Sequence, residues 1–311
     1  MTSTYDALII GAGQAGPPLA GRLTAAGMSV SLIERKLFGG TCVNTGCTPT
    51  KTLVASAYAA HLARRAIEYG VSIAGEVTVD MKAVKARKDM VVTRARAGVE
   101  SWLECMERCT VYRGHARFLS PCEVQVGRDR LAAKHIFINV GGRALVPDLP
   151  GIDRVVTLTN TSILELDTLP QHLVVVGGSY VGLEFAQMYR RFGAAVTIVE
   201  MAPRLIARED EDISAAVKEI LEAEGIAVRL AAECIRFEPR GAEIAVGLDS
   251  RSGAGPTPMT WGLTRPEFRL TRAVTSSSTT NCVPARPASG RLATAMVAAP
   301  SPTRPIMTLR L

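Results

Sequence analysis

Two stretches, one opening at Gly11 and the other at Gly177, repeat one pattern, and that repeat restricts the fold more than any other feature of the chain. In the first, an apolar run at residues 5–10 ends in Gly11-Ala12-Gly13-Gln14-Ala15-Gly16. A helical pattern follows to about Gly27, and a second apolar run at 30–33 ends at Glu34. In the second, apolar residues 173–176 lead into Gly177-Gly178-Ser179-Tyr180-Val181-Gly182, a helix through about Phe192, and a strand at 196–199 that ends at Glu200. The interval from Gly11 to Glu34 is the same as that from Gly177 to Glu200. Glycines at this spacing permit a tight strand-to-helix turn and let the backbone approach a pyrophosphate at the helix N-terminus. An acid at the end of the second strand can accept hydrogen bonds from a ribose diol. Each copy therefore predicts a β-α-β unit that binds a dinucleotide. Ser179 replaces the middle glycine and sets a small side chain where the backbone would meet the phosphates. Glu200, with no arginine directly after it, favours the free 2′-hydroxyl of NADH over the phosphate of NADPH, a preference that Arg204 weakens.

Between the two copies lies Gly39-Gly40-Thr41-Cys42-Val43-Asn44-Thr45-Gly46-Cys47-Thr48-Pro49-Thr50-Lys51, followed by an amphipathic helical run at 52–66. Cys42 and Cys47 are close enough to bridge. A thiolate near a helix N-terminus is stabilised by the positive end of the dipole, so the pair reads as redox-reactive; a structural disulfide and half of a metal site are the competing readings. The full set of seven cysteines is odd in number and unevenly spaced, which suits a reducing compartment rather than a secreted disulfide framework. No signal peptide precedes the first strand and no apolar run is long enough to span a membrane, so a cytoplasmic location is expected.

The rest of the chain divides by pattern. Residues 80–106 read as a helix in which Lys82, Lys85, Arg87, Lys88, Arg94 and Arg96 form a solvated basic face, with Cys105 and Cys109 as packed thiols near its end rather than a metal site. Residues 111–126 and 131–140 alternate like antiparallel strands around a turn at Gly127-Arg128-Asp129-Arg130, and 147–151 marks a boundary. Past residue 248 the character changes. Residues 249–311 hold eight of the 17 prolines, eight arginines, two acids and no lysine, without sustained helix or strand periodicity, and disorder is expected there. This switch has the look of a GC-rich gene read out of frame, and a frameshift near codon 248 would place a continuation of the earlier style in one of the other two frames. The tail also carries +6 of the +7 net charge, so the body is nearly neutral and a nucleic-acid partner is not expected.

With these motifs in place, the chain resembles the pyridine nucleotide-disulfide oxidoreductases, the family of glutathione reductase, dihydrolipoamide dehydrogenase and mercuric reductase. The resemblance runs from about Tyr5 to Gly247. It rests on residues 39–51, on Gly11 to Gly16 with Glu34, on Gly114-His115-Ala116, on Gly141-Gly142-Arg143 and on Gly177 to Glu184. It implies an α/β fold with two Rossmann-like units, each with a central parallel sheet, plus an antiparallel insertion. An FAD-binding domain would occupy residues 1–150, an incomplete NAD(P)-binding domain 151–248 and a low-complexity tail 249–311. It also implies a relay from NAD(P)H through FAD to the Cys42-Cys47 disulfide and on to a small-molecule thiol, disulfide or metal-ion acceptor, with NADH slightly favoured and neither nucleic acid nor membrane as a partner.

By the same resemblance Cys42 is the interchange thiol, Cys47 the charge-transfer thiol, and Lys51 lies near the flavin N5 paired with Glu184. Gly11, Gly13, Gly16, Glu34, Thr41, Ala116 and Gly141 would hold FAD; Gly177, Ser179, Gly182 and Glu200 would hold NAD(P)H, with Tyr180 over the nicotinamide. The family's later Gly-Asp flavin segment, and the dimerisation domain with its His-Glu acid/base pair, have no match in 249–311. None of His61, His115, His135 or His172 stands in that pair's motif, Val140 replaces the usual threonine, and Cys282 alone cannot form a second dithiol. Three readings follow: a mercuric reductase-like flavin enzyme, an inactive truncated remnant that has lost the family's homodimer interface, and a dithiol site for soft metals.

Overall fold

Both glycine stretches sit where a parallel strand gives way to a helix. The computed structural model describes residues 2–146, 148–240, 243–249 and 259–261. Its first unit begins with β1 (Thr2–Ile10), α1 (Gly16–Ala25) and β2 (Val30–Glu34). Helices α2 (Gly40–Thr45), α3 (Cys47–Arg64) and α4 (Met81–Glu104) separate β2 from β3 (Cys109–Arg113). A meander of β4 (Ala116–Ser120), β5 (Glu123–Val126) and β6 (Asp129–Ile138) completes one six-stranded sheet in the order β3-β2-β1-β6-β5-β4. Pairing is parallel from β3 to β6 and antiparallel beyond it. Successive residues of β1 point to opposite faces: Ala7 and Ile9 pack with Ala20, Val30, Leu32 and Leu103, while Leu8 packs with Ile33, Val124 and Leu131. Both faces are covered, which is why the strand is apolar throughout instead of alternating.

The second unit repeats the plan. Here β7 (His172–Val176), α5 (Tyr180–Phe192), β8 (Ala195–Val199), α6 (Glu211–Ala223) and β9 (Ala227–Arg229) give a parallel sheet β7-β8-β9. The internal repeat thus extends to a third strand in each copy. Helix α5 buries Phe185, Met188, Tyr189 and Phe192 at three- and four-residue spacing and stops at Gly193, where φ is 122°. Burying each such side chain contributes about 1.5–3 kcal/mol. Leu53 and Ala57 of α3 and Met81 of α4 join the same apolar cluster, so helices from the first unit pack directly on the second. An antiparallel sheet of β10 (Glu233–Arg240), β11 (Glu243–Asp249) and β12 (Met259–Trp261) closes the described chain. The α/β architecture with parallel central sheets and antiparallel additions is as the sequence implies. Among the described residues, no helix is long and apolar enough to cross a membrane.

Several local expectations are corrected. Helix α3 starts at Cys47, not Thr52, because Pro49 sits in the first turn, where its missing N–H would have no intrahelical partner in any case. Residues 109–113 run parallel beside β2 instead of joining the antiparallel meander, and β6 is antiparallel to β5 but parallel to β1; alternation reads the same in either direction. The turn is Gly127-Arg128, with Asp129 already in β6. Cys105 is exposed instead of packed, and only Cys109 is partly buried. Residues 259–261, expected to lack regular structure, pair with β11. The expected disorder over 250–258 and 262–311, and Pro147 of the boundary, lie outside the described residues.

The basic face of α4 is the largest departure. Lys88 is only 2% exposed. Its Nζ lies 2.5 Å from Asp89 and 3.4 Å from Glu165, and Lys85 reaches the same two carboxylates at 2.7 and 3.2 Å. Arg87 donates to the Thr52 carbonyl at 2.9 Å and to Ser56 at 3.2 Å, fastening α4 to α3. Both carboxylates remain about half exposed, so losing the ammonium leaves no buried charge behind. Lys88→Ala is expected to cost about 2–3 kcal/mol by leaving a cavity, whereas Lys88→Met, which keeps the volume, should stay within about 1 kcal/mol of the parent in urea unfolding.

Candidate functional site

The first glycine loop is shaped by close backbone contacts. Gly11 has φ 109°, and a Cβ there would fall 2.1 Å from the Asn139 carbonyl oxygen; a Cβ on Gly16 would fall 2.3 Å from the Gly11 oxygen. A Cβ on Gly13 would lie 3.6 Å from the Asn139 carboxamide nitrogen, an ordinary contact. Pro17 and Pro18 carry no N–H, so the donors left at the mouth of α1 are the N–H groups of Gly13, Gln14 and Ala15, which have no acceptor among the described residues. Such a cradle fits a pyrophosphate.

The acid of each unit closes its own loop in the same way. Glu34 accepts from Ala12 N at 2.9 Å and Lys36 N at 2.8 Å, and Glu200 accepts from Gly178 N at 2.5 Å and Ala202 N at 2.7 Å. Gly11 N donates to the Ile33 carbonyl at 2.8 Å, as Gly177 N does to Val199 at 2.7 Å. The two carboxylate bonds and the glycine-to-strand bond of the first loop recur in the second at the positions that the sequence repeat assigns to them. Each carboxylate keeps lone pairs for a ribose diol. In the second loop a Cβ at Gly182 would meet the Gly177 oxygen at 2.8 Å. Ser179, at the N-cap of α5, is exposed and makes no capping bond, so its hydroxyl faces solvent instead of filling the loop.

The cysteine segment is fastened to the first loop. Gly39 N donates to the Ala12 carbonyl at 2.9 Å, and a Cβ on Gly40 (φ 60°) would lie 2.7 Å from the Gly13 Cα. Cys42 lies half-buried in α2, next to the exposed Thr41. Gly46 breaks the chain direction, and the exposed Cys47 opens α3, in the positive field of that helix. Both cysteines are free thiols. At Cys42 burial works against the helix field, and its thiol is pushed up to about 11. Burial is the main cause, and the hydrogen bond and charge of Cys47 add to it, while a bond from the Cys47 N–H pulls more weakly the other way.

One turn into α3, Lys51 forms an ion pair with Glu184 of α5, with side-chain exposures of 68% and 27%. The pair borders a cavity of about 50 Å³ that Cys47, Thr50, Asn160 and Phe185 also line. Asn160 is 5% exposed and donates to the Thr45 carbonyl at 3.3 Å. Tyr180, the first residue of α5, donates its hydroxyl to Glu209, and that bond raises the phenol above its ordinary value. Ala116 begins β4 two residues after Gly114, whose N–H bonds the Glu34 carbonyl at 2.9 Å, so it stands beside the acid. Gly141 follows two residues after Asn139 at the same sheet end and is exposed.

The sequence residues thus gather into two loops and one dithiol segment. Asn139 and Asn160 were not anticipated. Asn139 could have been found once β6 was paired beside β1, because it then must abut Gly11; Asn160 sits in an irregular polar run that carries no pattern. His61 packs on Tyr58, and His172 meets Thr197 at 3.0 Å, and neither they nor His115 or His135 line the cavity. No group of three or more metal-ligating side chains occurs among the described residues.

Two repeated β-α-β units, each with a glycine loop, and a dithiol beside the first loop define the class of fold. Residues 5–253 match the pyridine nucleotide-disulphide oxidoreductases, and the chain belongs to that family. It is 34% identical over 255 residues to a dihydrolipoyl dehydrogenase of Acholeplasma laidlawii, covering 81% of this chain and 75% of that protein. With a mercuric reductase of Streptomyces lividans it shares 38% identity over 229 residues, 72% of this chain and 48% of the relative. The solved Cu(II) complex of the HOCl-induced flavoprotein disulfide reductase RclA from Escherichia coli superposes with a TM-score of 0.70 at 34% identity, covering 85% of this chain and 56% of that one. Apart from the first of these, the chain spans about half the length of its relatives.

The raised thiol gives a direct check. A rise from 9.0 to about 11 means that Cys42 stays protonated until the pH approaches that value. Its thiolate fraction at pH 8 is then about a hundredfold below that of an ordinary thiol. Alkylation of Cys42 by iodoacetamide, followed by peptide mass spectrometry, should accelerate about tenfold per pH unit up to near pH 11. A plateau already reached by pH 8 would restore the activated-thiolate reading.

Proposed function

We propose that this chain is an FAD-dependent NAD(P)H oxidoreductase, mercuric reductase-like in its dithiol. Residues 1–150 would bind FAD and 151–248 the nicotinamide nucleotide. The observation that carries this reading is the seating of Gly39 and Gly40 on the first glycine loop, which sets the dithiol at the loop where FAD would bind. The ion pair from Lys51 to Glu184 then links that dithiol to the second unit.

The residues divide the work. Gly11, Gly13 and Gly16 leave room for a pyrophosphate, with the N–H groups of Gly13, Gln14 and Ala15 to hold it, and Glu34 binds the ribose. Thr41, Ala116 and Gly141 flank this site. Gly177, Ser179, Gly182 and Glu200 form the matching cradle for NAD(P)H, with NADH favoured because no arginine follows Glu200 directly, and Tyr180 covers the nicotinamide. Bound FAD would supply a two-electron relay between the nicotinamide and the Cys42-Cys47 disulfide. Cys47 is the thiol on the flavin side. Cys42 is the thiol that exchanges with the acceptor. Glu184 pairs with the Lys51 ammonium next to the flavin site, where an unpaired cation would be costly once water is displaced. Dihydrolipoyl dehydrogenase and mercuric reductase among the relatives support a dithiol, disulfide or metal ion as the reaction partner. The exposed thiols of Cys105 and Cys122 suit a reducing compartment such as the cytoplasm.

The test is spectroscopic. After incubation with FAD and desalting, the purified chain should retain a flavin absorbance that NADH bleaches under anaerobic conditions. Cys42→Ser should keep the bleaching and lose disulfide turnover by about a thousandfold or more. A chain that stays colourless after added FAD would instead support a nucleotide-binding remnant without turnover.

A further inference from the structure

The joint between α2 and α3 is held from outside the dithiol segment. Thr45 is the last residue of α2, so its carbonyl has no partner within that helix, and Gly46 then turns the chain into α3. Asn160 takes up this acceptor: its Nδ2 donates to the Thr45 carbonyl at 3.3 Å, across 115 residues of sequence. The Asn160 side chain is buried and lines the same cavity as Cys47.

Asn160 stands in a turn that is itself anchored. The Thr159 hydroxyl accepts from the N–H groups of Thr161 at 3.3 Å and Ser162 at 3.4 Å, and the Ser162 hydroxyl accepts from Thr159 N at 2.8 Å. Ile163 and Leu164 follow, both buried in the apolar cluster that α3 shares with α5. The buried Tyr189 hydroxyl of α5 donates to the Ile163 carbonyl at 2.9 Å. The carboxamide is thus carried on a fixed support. Cys42 and Cys47 flank the joint that it holds, and the two free thiols are hydrogen-bonded to each other.

We propose that Asn160 is a positioning residue for the dithiol: by fixing the Thr45 carbonyl it holds the α2–α3 joint where the two sulfurs face each other and can close to a disulfide. The inference rests on reading Cys42 and Cys47 as a redox pair. Two thiols close to a disulfide in proportion to their effective concentration, which depends on how narrowly the backbone between them is held. With oxidised glutathione as the acceptor, its S–S bond breaks and a Cys42–Cys47 bond forms. The pair is oxidised, and two electrons and both thiol protons leave in two molecules of reduced glutathione. Without the Nδ2 donor the joint gains freedom, and this equilibrium moves toward the dithiol.

The experiment equilibrates the full chain anaerobically in glutathione buffers of graded ratio. After an acid quench and alkylation, mass spectrometry counts the Cys42-Cys47 disulfide in the parent, Asn160→Ala, Asn160→Leu and Val124→Ala. Asn160→Leu keeps a branched side chain but no donor. Val124→Ala opens a cavity in the core beside β5 and so lowers stability without touching the joint. The expected result is an effective concentration lowered about threefold to tenfold in both Asn160 variants and unchanged in Val124→Ala. If the Asn160 variants keep the parent's equilibrium, or Val124→Ala shifts it as far as they do, the positioning role is wrong while the redox pair stands. If the parent forms no Cys42-Cys47 disulfide at any ratio, the redox reading is wrong and the positioning role falls with it.

Discussion

The structure depends on the packing of α3 against α5. Helix α3 begins at Cys47, one end of the dithiol, and α5 begins at Tyr180, directly after the second glycine loop. Their contacts advance in the same direction along both helices. Lys51 pairs with Glu184, Val54 and Ala57 share one apolar cluster with Leu183 and Met188, and the Arg191 guanidinium stacks over the Tyr58 ring at 5.7 Å. Arg64 then closes the far end on the Arg191 carbonyl. Arg191 is itself held by Glu224 through two bonds of 2.6 and 2.8 Å, which ties the seam to the end of α6. An apolar middle with charged ends fixes the register of the two helices. A shift along the seam would separate Lys51 from Glu184 and expose Leu53 and Ala57 to water.

The two glycine loops solve a separate problem. A strand-to-helix turn leaves backbone N–H groups without partners, and these must be satisfied or presented to a ligand. In each unit one carboxylate takes up part of this burden, bonding an N–H of the loop and another just beyond its own strand. In the first unit the N–H groups of Gly13, Gln14 and Ala15 are left over and could serve an anion. The same acid thus holds the loop in shape and keeps lone pairs free to accept from a ribose diol. This dual use explains why the acid keeps one spacing from the first glycine in both copies: the distance follows from strand, helix and strand, and the carboxylate must return to the loop.

Much of this was legible in the sequence because its physics is local. Glycine positions, apolar strand runs and the acids follow from steric rules that act within a single β-α-β unit, and all reappear in place. The ion pair of Lys51 with Glu184 was legible only through family resemblance, since nothing local connects residues 133 apart. What failed was non-local. The direction of β3 is set by its neighbour β2, and the burial of Lys88 by Glu165 from a distant segment; neither leaves a mark in the surrounding residues. At Cys42 burial in α2 and the nearby Cys47 raise the thiol against the helix dipole, and both are tertiary.

The central claim is that the dithiol, fastened to the first dinucleotide loop, receives electrons that enter at the second. The most direct measurement is anaerobic thiol counting on the FAD-loaded chain, with the Cys42-Cys47 pair first oxidised to the disulfide and NADH then added in slight excess. The account expects two new thiols per chain, located by mass spectrometry at Cys42 and Cys47, and none when NADH is omitted. A flavin that bleaches while the disulfide stays intact would contradict it.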